Sequence, residues 1–137
     1  MSRVIFASHG GLSKGMKDSV SMIVGDLAKD VETYSLLPGQ NPEDFYQEVL
    51  KEAKESEEQI VILCDIKGGS VHTALSKLAV LDNVMAFSGM NMGLVLDAVM
   101  KGLNGKLELA EANDLIEAAK DGMTVMSGMT SEDDEDF

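Results

Sequence analysis

Three glycine-containing segments of this 137-residue sequence hold the residues best suited to chemistry: Ser8-His9-Gly10-Gly11, Asp65-Ile66-Lys67-Gly68-Gly69-Ser70 and Gly89-Met90-Asn91-Met92-Gly93. A carboxylate beside an imidazole accepts a hydrogen bond from one ring nitrogen, fixes the tautomer, and leaves the other nitrogen's lone pair outward as a nucleophile. His9 and Asp65 are the candidate pair. Gly68 and Gly69 have no side chains and Ser70 opens a helix, so their backbone amides can surround a phosphoryl group with the positive end of the helix dipole behind it. A neutral His that receives phosphate, an Asp that steadies the developing positive charge and an amide cradle together make a phosphohistidine site. The plain alternative is a polar turn residue and a common helix entry. Placing His and Asp each at the final position of a strand, with glycines in both loops, favours the chemical reading.

The surrounding sequence supplies the elements that must position these residues. Val4 to Ala7 is a short apolar run that stops at Ser8-His9-Gly10-Gly11. A helical pattern then sets Leu12, Met16, Val20, Ile23, Val24 and Leu27 on one face. Val31 to Leu36 is rich in strand formers, and Asn41-Pro42-Glu43-Asp44 starts a second helix that runs to about Ser56, with a capping Asn and a Pro at its first position. Ile60 to Cys64 is continuously apolar, as in strands covered on both faces. Ser70 caps a third helix containing Ala74, Leu75, Leu78 and Ala79. Val84 to Ser88 is a fourth strand, Leu94 to Met100 a fourth helix, Ala110 to Ala119 a fifth, and Met123 to Met126 a final short strand. Strands alternating with helices predict an α/β fold: an open, mainly parallel sheet with helices on both faces. In such sheets ligands bind outside the carboxyl ends of the strands, where strand order reverses. Neighbouring first and third strands would set His9 and Asp65 face to face there.

Composition narrows the function. Hydrophobic residues at 45% and charged residues at 26% suit a globular core and exclude wholesale disorder. The apolar runs fall short of the roughly 20 residues of a membrane-spanning helix, and no signal segment opens the chain, so a soluble, cytoplasmic protein is expected. A single cysteine, Cys64, agrees with a reducing compartment. Only 11 Lys and Arg stand against 24 Asp and Glu, which speaks against nucleic acid as a partner and for a basic protein. Residues 130–137 read as an acidic tail, and the rest as one domain.

Other candidates rank lower. A zinc site from His9, Cys64, Asp65 and His72 is disfavoured because Cys64 should face away from Asp65; no metal or cofactor is expected. His72 reads as an exposed polar residue, Cys64 as a core thiol, and Lys14 and Lys67 as solvated surface. Met22, Met90 and Met92 suit an adaptable apolar patch around His9 or simple core packing. A receiver-type signalling module would need an acidic pair after the first strand to bind Mg²⁺, where this sequence has Ala7-Ser8-His9. A nucleotide- or flavin-binding domain would need a glycine fingerprint that no strand here precedes.

His9-Gly10, Leu12-Ser13-Lys14-Gly15, Pro38-Gly39, Asp65 to Thr73 and Gly89-Met90-Asn91-Met92 follow one another as in a known family. The sequence resembles the IIA component of the mannose family of the phosphoenolpyruvate:sugar phosphotransferase system, over nearly all of 1–129. Val71 and Thr73 stand where that family usually has Pro and Asn, and Gly93 where Pro is common. The resemblance implies a phosphotransferase in which His9 takes phosphate from the histidine-containing phosphocarrier protein and passes it to a IIB component on a separate chain, with Asp65 as the orienting carboxylate. It further implies indirect association with membrane components that import the sugar, and a homodimer that exchanges a C-terminal strand, for which Met123 to Met126 is the candidate. It leaves open a relay that phosphorylates dihydroxyacetone instead of serving sugar uptake.

Overall fold

The structure, a computed structural model, describes residues 2–128. Met1 and residues 129–137, including the acidic tail, lie outside the described residues. The elements run β1 (Ser2–His9), α1 (Leu12–Val24), β2 (Glu32–Leu36), α2 (Glu43–Lys54), β3 (Gln59–Cys64), α3 (Ser70–Leu75), β4 (Val84–Phe87), α4 (Met92–Leu103) and α5 (Leu109–Asp121). Tight 3₁₀ turns extend α1 over Gly25–Ala28 and α3 over Ser76–Val80. The four strands form one parallel sheet in the order β2-β1-β3-β4. The chain thus winds outward from β1 in both directions, and β1 and β3 are the neighbours between which strand order reverses.

Strand alternation separates two apolar layers. Val4 and Phe6 of β1 and Val61 and Leu63 of β3 pack on one side with Val20, Leu94, Val95 and Leu115 from α1, α4 and α5. Ile5 and Ala7 of β1 and Ile60, Ile62 and Cys64 of β3 pack on the other with Val49 of α2 and Leu75 of α3. Every residue of β3 is buried, as its unbroken apolar run requires of a strand covered on both faces. Each fully buried Ile or Leu of these layers contributes about 1.5–3 kcal/mol from apolar burial.

Several boundaries and faces differ from the sequence expectation. The buried stripe of α1 runs through Ser13 and Val20 with Met16 and Val24 packed beside it, whereas Leu12, Ile23 and Leu27 are exposed. Ser13 is buried because its hydroxyl donates to the Tyr34 carbonyl (2.9 Å) and its N–H to Ser8 Oγ (2.8 Å), which locks the start of α1 to β1 and β2. Helix α2 ends at Lys54, and its first turn is served by Asn41, whose side chain accepts the Glu43 N–H. Met123 to Met126 does not form a strand; it is irregular and exposed. In the single chain this segment reaches neither edge of the sheet, so its local preference for extended backbone has no ladder to join.

Candidate functional site

His9 is the last residue of β1, and the chain must turn away directly after it. Gly10 turns it with a positive φ of 56°, a conformation that suits glycine, and its N–H donates to the Leu36 carbonyl (2.8 Å). Asp65 follows β3 on the neighbouring strand and points its carboxylate back at His9. Oδ2 accepts both the His9 backbone N–H and Nδ1, each at 2.8 Å, while Oδ1 accepts the Ile66 N–H at 2.9 Å. Burial alone would raise the Asp65 carboxyl. The His9 amide, the His9 ring, the Ile66 amide and the His9 charge oppose that rise and together hold it below the ordinary carboxylate value.

The contact with Asp65 decides the His9 tautomer. An ionised carboxylate only accepts, so Nδ1 carries the hydrogen and Nε2 is left with a lone pair. Ser70 Oγ lies 3.0 Å from Nε2 and donates to it. The ring thus stands between a carboxylate on one side and a hydroxyl on the other, with its side chain 48% exposed while that of Asp65 is 9% exposed. The imidazole is at the surface and the carboxylate that holds it lies beneath.

The Gly68-Gly69-Ser70 turn packs directly on the ring. A β-carbon on Gly69 would lie 3.3 Å from His9 Cε1 and 2.8 Å from Ile66 Cγ2, so the imidazole rests where a larger residue would push it. Gly68 adopts a φ of 80°, which passes the chain from β3 into α3. Two of the three amides named from the sequence already have partners: Gly69 N–H donates to the Ile66 carbonyl (3.1 Å) and Gly68 N–H to His72 Nδ1 (3.2 Å). Ser70 is the first residue of α3, and Gly69 is the cap.

The sequence-derived residues therefore converge: His9, Asp65, Gly69 and Ser70 form one contact group, with Gly68 adjoining it. The third strand-end segment does not join them chemically. Met90 is buried and its N–H donates to the Cys64 carbonyl, while Asn91 caps α4 by accepting the Leu94 N–H (2.9 Å). Met22 is on the tenth helical step from Leu12, about 15 Å along α1 by helix rise, and does not belong to a patch around His9. Cys64 is buried, and burial first, then Asp65, pushes its thiol up to about 12, so it is no thiolate ligand. No three His, Cys, Asp or Glu side chains among the described residues are grouped to hold a metal ion. His72, expected to be simply exposed, is half-buried and hydrogen-bonded within the turn. Its place in the first turn of a helix after glycine was the available signal, because side chains there reach back to preceding amides.

A cleft of about 660 Å³ lies instead at the amino ends of the strands, lined by Ser2, Gln59, Asn83 and Lys106 among others. Its polar groups bond to one another and to the chain: Ser2 to Gln59, Gln59 to Leu107, and Asn83 to Ala53. The His9–Asp65 pair sits at the opposite rim, at the carboxyl ends of β1 and β3.

The chain is thus an open parallel α/β domain with a carboxylate-oriented histidine at the reversal point of its sheet. The chain belongs to the EIIA-man family, described as the fructose IIA component of the phosphotransferase system, whose family model matches residues 3–120. It is 32% identical over 101 residues to the sorbose-specific EIIA component of the phosphotransferase system from Klebsiella pneumoniae, covering 72% of this chain and 73% of that one. Its fold is similar to that of the crystal structure of phosphotransferase system component EIIA from Streptococcus agalactiae, with a TM-score of 0.78 at 21% identity over 91% of this chain and 97% of that one. It is also similar to the IIA protein associated with the fucose utilization operon of Streptococcus pneumoniae, with a TM-score of 0.72 at 25% identity over 91% and 96% of the two chains. As a mannose/sorbose-type IIA component, the chain is a phosphotransferase of sugar phosphotransfer, and it works with other proteins of that system. No helix among the described residues is long and apolar enough to cross a membrane.

Proposed function

We propose that this protein is a phosphocarrier that receives a phosphoryl group on Nε2 of His9 from the histidine-containing phosphocarrier protein and passes it to a IIB component, in the cytoplasm, for phosphorylation-coupled sugar uptake. The observation that carries this reading is the contact of His9 Nδ1 with Asp65, which leaves Nε2 as the exposed nucleophile. In the transfer, the Nε2 lone pair forms a bond to phosphorus as the bond from phosphorus to the donor's ring nitrogen breaks. Each ring keeps its own N–H, so no proton need leave His9. The ring gains positive character, and Asp65 stabilises it.

Gly68, Gly69 and Ser70 form the phosphoryl-binding turn. At rest the Ser70 hydroxyl donates to the Nε2 lone pair; on transfer it rotates to a phosphoryl oxygen. The Gly69 Cα leaves room for the ring. An exposed site suits a reaction between two proteins, since a closed pocket would exclude the donor. Leu12 at the start of α1, Leu37 after β2 and Ile66 after β3, all about half exposed or more, follow the strand ends around His9 and offer apolar contact.

The homodimer with an exchanged strand is part of the same proposal. The free edge of β4 borders a groove lined by Met85, Phe87, Leu109 and Ile116, and Met123 to Met126 is exposed and unpaired in the single chain. Sugar uptake is favoured over a dihydroxyacetone relay because the relatives' names refer to sorbose and fucose utilization. The test is intact-mass analysis after incubation with phosphoenolpyruvate, the general phosphotransfer enzyme and an active carrier. An acid-labile phosphate is expected on the native protein and not on His9→Ala. Labelling of that variant would move the site elsewhere.

A further inference from the structure

The turn beneath His9 lacks the side-chain cap that usually holds a helix entry. Its cap residue is Gly69, and no side chain there accepts the free amides of α3. Capping boxes commonly fix the entry from the other direction, with the third helical residue reaching back to a preceding amide through Glu or Gln. Here that third residue is His72, and its Nδ1 accepts the Gly68 N–H at 3.2 Å. The bond spans the turn that carries Gly69 under His9 Cε1 and Ser70 Oγ against His9 Nε2.

We infer that His72 is a positioning residue, whose unprotonated Nδ1 holds the Gly68 amide and thereby sets Ser70 and Gly69 against the His9 ring. To accept an N–H, Nδ1 must carry a lone pair, so neutral His72 has its hydrogen on Nε2. The arrangement links two imidazoles of opposite tautomer through one short turn: His9 with hydrogen on Nδ1, His72 with hydrogen on Nε2. His72 does not touch the transferred group; it acts through Gly68. The inference rests on the phosphocarrier reading for its effect on rate, although the hold on the turn is measurable without any transfer.

The experiment compares the full chain with His72→Ala and His72→Gln by nitrogen-15 NMR and by the rate of phosphoryl uptake. In the unreacted native protein, His72 should show an unprotonated Nδ1 and a protonated Nε2. Gly68 amide exchange should quicken about 5- to 10-fold in His72→Ala, the loss that follows from removing one capping hydrogen bond, and return toward the native rate in His72→Gln, which keeps an acceptor. Transfer by His72→Ala should slow by about the same factor at saturating carrier, with the carrier's KM unchanged, and recover in His72→Gln. Unchanged Gly68 exchange in His72→Ala, or an Nδ1-protonated His72, overturns the inference whatever the transfer result. A native protein that takes no phosphate while Gly68 responds as described overturns the phosphocarrier reading and leaves the hold on the turn established.

Discussion

Oδ2 of Asp65 receives two hydrogens from a single residue, the backbone N–H and the ring Nδ1–H of His9, each at 2.8 Å. The backbone contact fixes where β1 ends relative to β3, and the ring contact fixes which nitrogen is free. One carboxylate oxygen therefore couples strand register to chemistry, and its partner oxygen is held by the Ile66 N–H.

Asp65→Asn tests that coupling. An amide has one oxygen where the carboxylate has two, so its NH₂ must face either the Ile66 N–H or the two His9 hydrogens. The negative charge that stabilises the ring during transfer is also lost. Phosphoryl uptake by a folded Asp65→Asn protein should fall about 100-fold, in the range seen when one preorganised electrostatic group is removed. Rapid-quench measurement with phosphorylated carrier checks it; a native rate would remove Asp65 from the role of orienting group.

Gly69→Ala tests the close approach of the turn to the ring. The backbone at Gly69 is extended, with φ −69° and ψ 164°, so alanine adopts it without strain. Its β-carbon would nevertheless lie 2.8 Å from the exposed Ile66 side chain and 3.3 Å from His9 Cε1. The Ile66 side chain can move outward, but the Ile66 carbonyl, also 3.3 Å away, cannot, so the remaining crowding falls on the His9 ring, which tilts against its Asp65 contact. We expect stability within about 1 kcal/mol of native, as for other modest surface changes, and transfer slowed about 10-fold by misplacement of the nucleophile. Equal transfer rates would show that the ring tolerates the added methyl group.

The depressed Asp65 carboxyl makes a prediction about acid stability. A group whose pKa is lowered on folding contributes stability that is fully present above its unfolded value, about 3.9, and is lost as pH falls through the folded value. Urea midpoints of the native protein should therefore drop more steeply below about pH 4 than those of Asp65→Asn, the two curves converging in acid. Parallel curves would mean that folding leaves the Asp65 carboxyl unshifted.

Strand exchange predicts a dimer that depends on the segment following α5. The full chain should sediment as a dimer at micromolar concentration, and a chain truncated after Gly122 as a folded monomer. A truncated chain that remains dimeric would place the interface on another surface.

The sequence revealed the parallel α/β order and the juxtaposition of His9 and Asp65 because these depend on strong local signals. Continuous apolar strands, positive-φ glycines and polar strand ends each act over a few residues. The burial of Ser13 was not legible, since a serine at a core position is satisfied only by the distant Tyr34 carbonyl and the Ser8 hydroxyl. The exposure of Leu12, Ile23 and Leu27 was hidden for the same reason: the true stripe of α1 includes that serine. The sequence marks Ser70 by its amide and its capping hydroxyl, yet that hydroxyl reaches across the turn to Nε2, a contact set by how β3 leads into α3. The hold of His72 on Gly68 likewise depends on the rotation of α3 after two glycines.

The most direct test of the account is to identify which ring nitrogen carries the phosphate. With histidine labelled by nitrogen-15, phosphorus-31 coupling on the phosphorylated full chain distinguishes Nε2 from Nδ1. The His9–Asp65 contact predicts phosphate on Nε2 of His9 with the hydrogen retained on Nδ1; phosphate on Nδ1, or on His72, would contradict it.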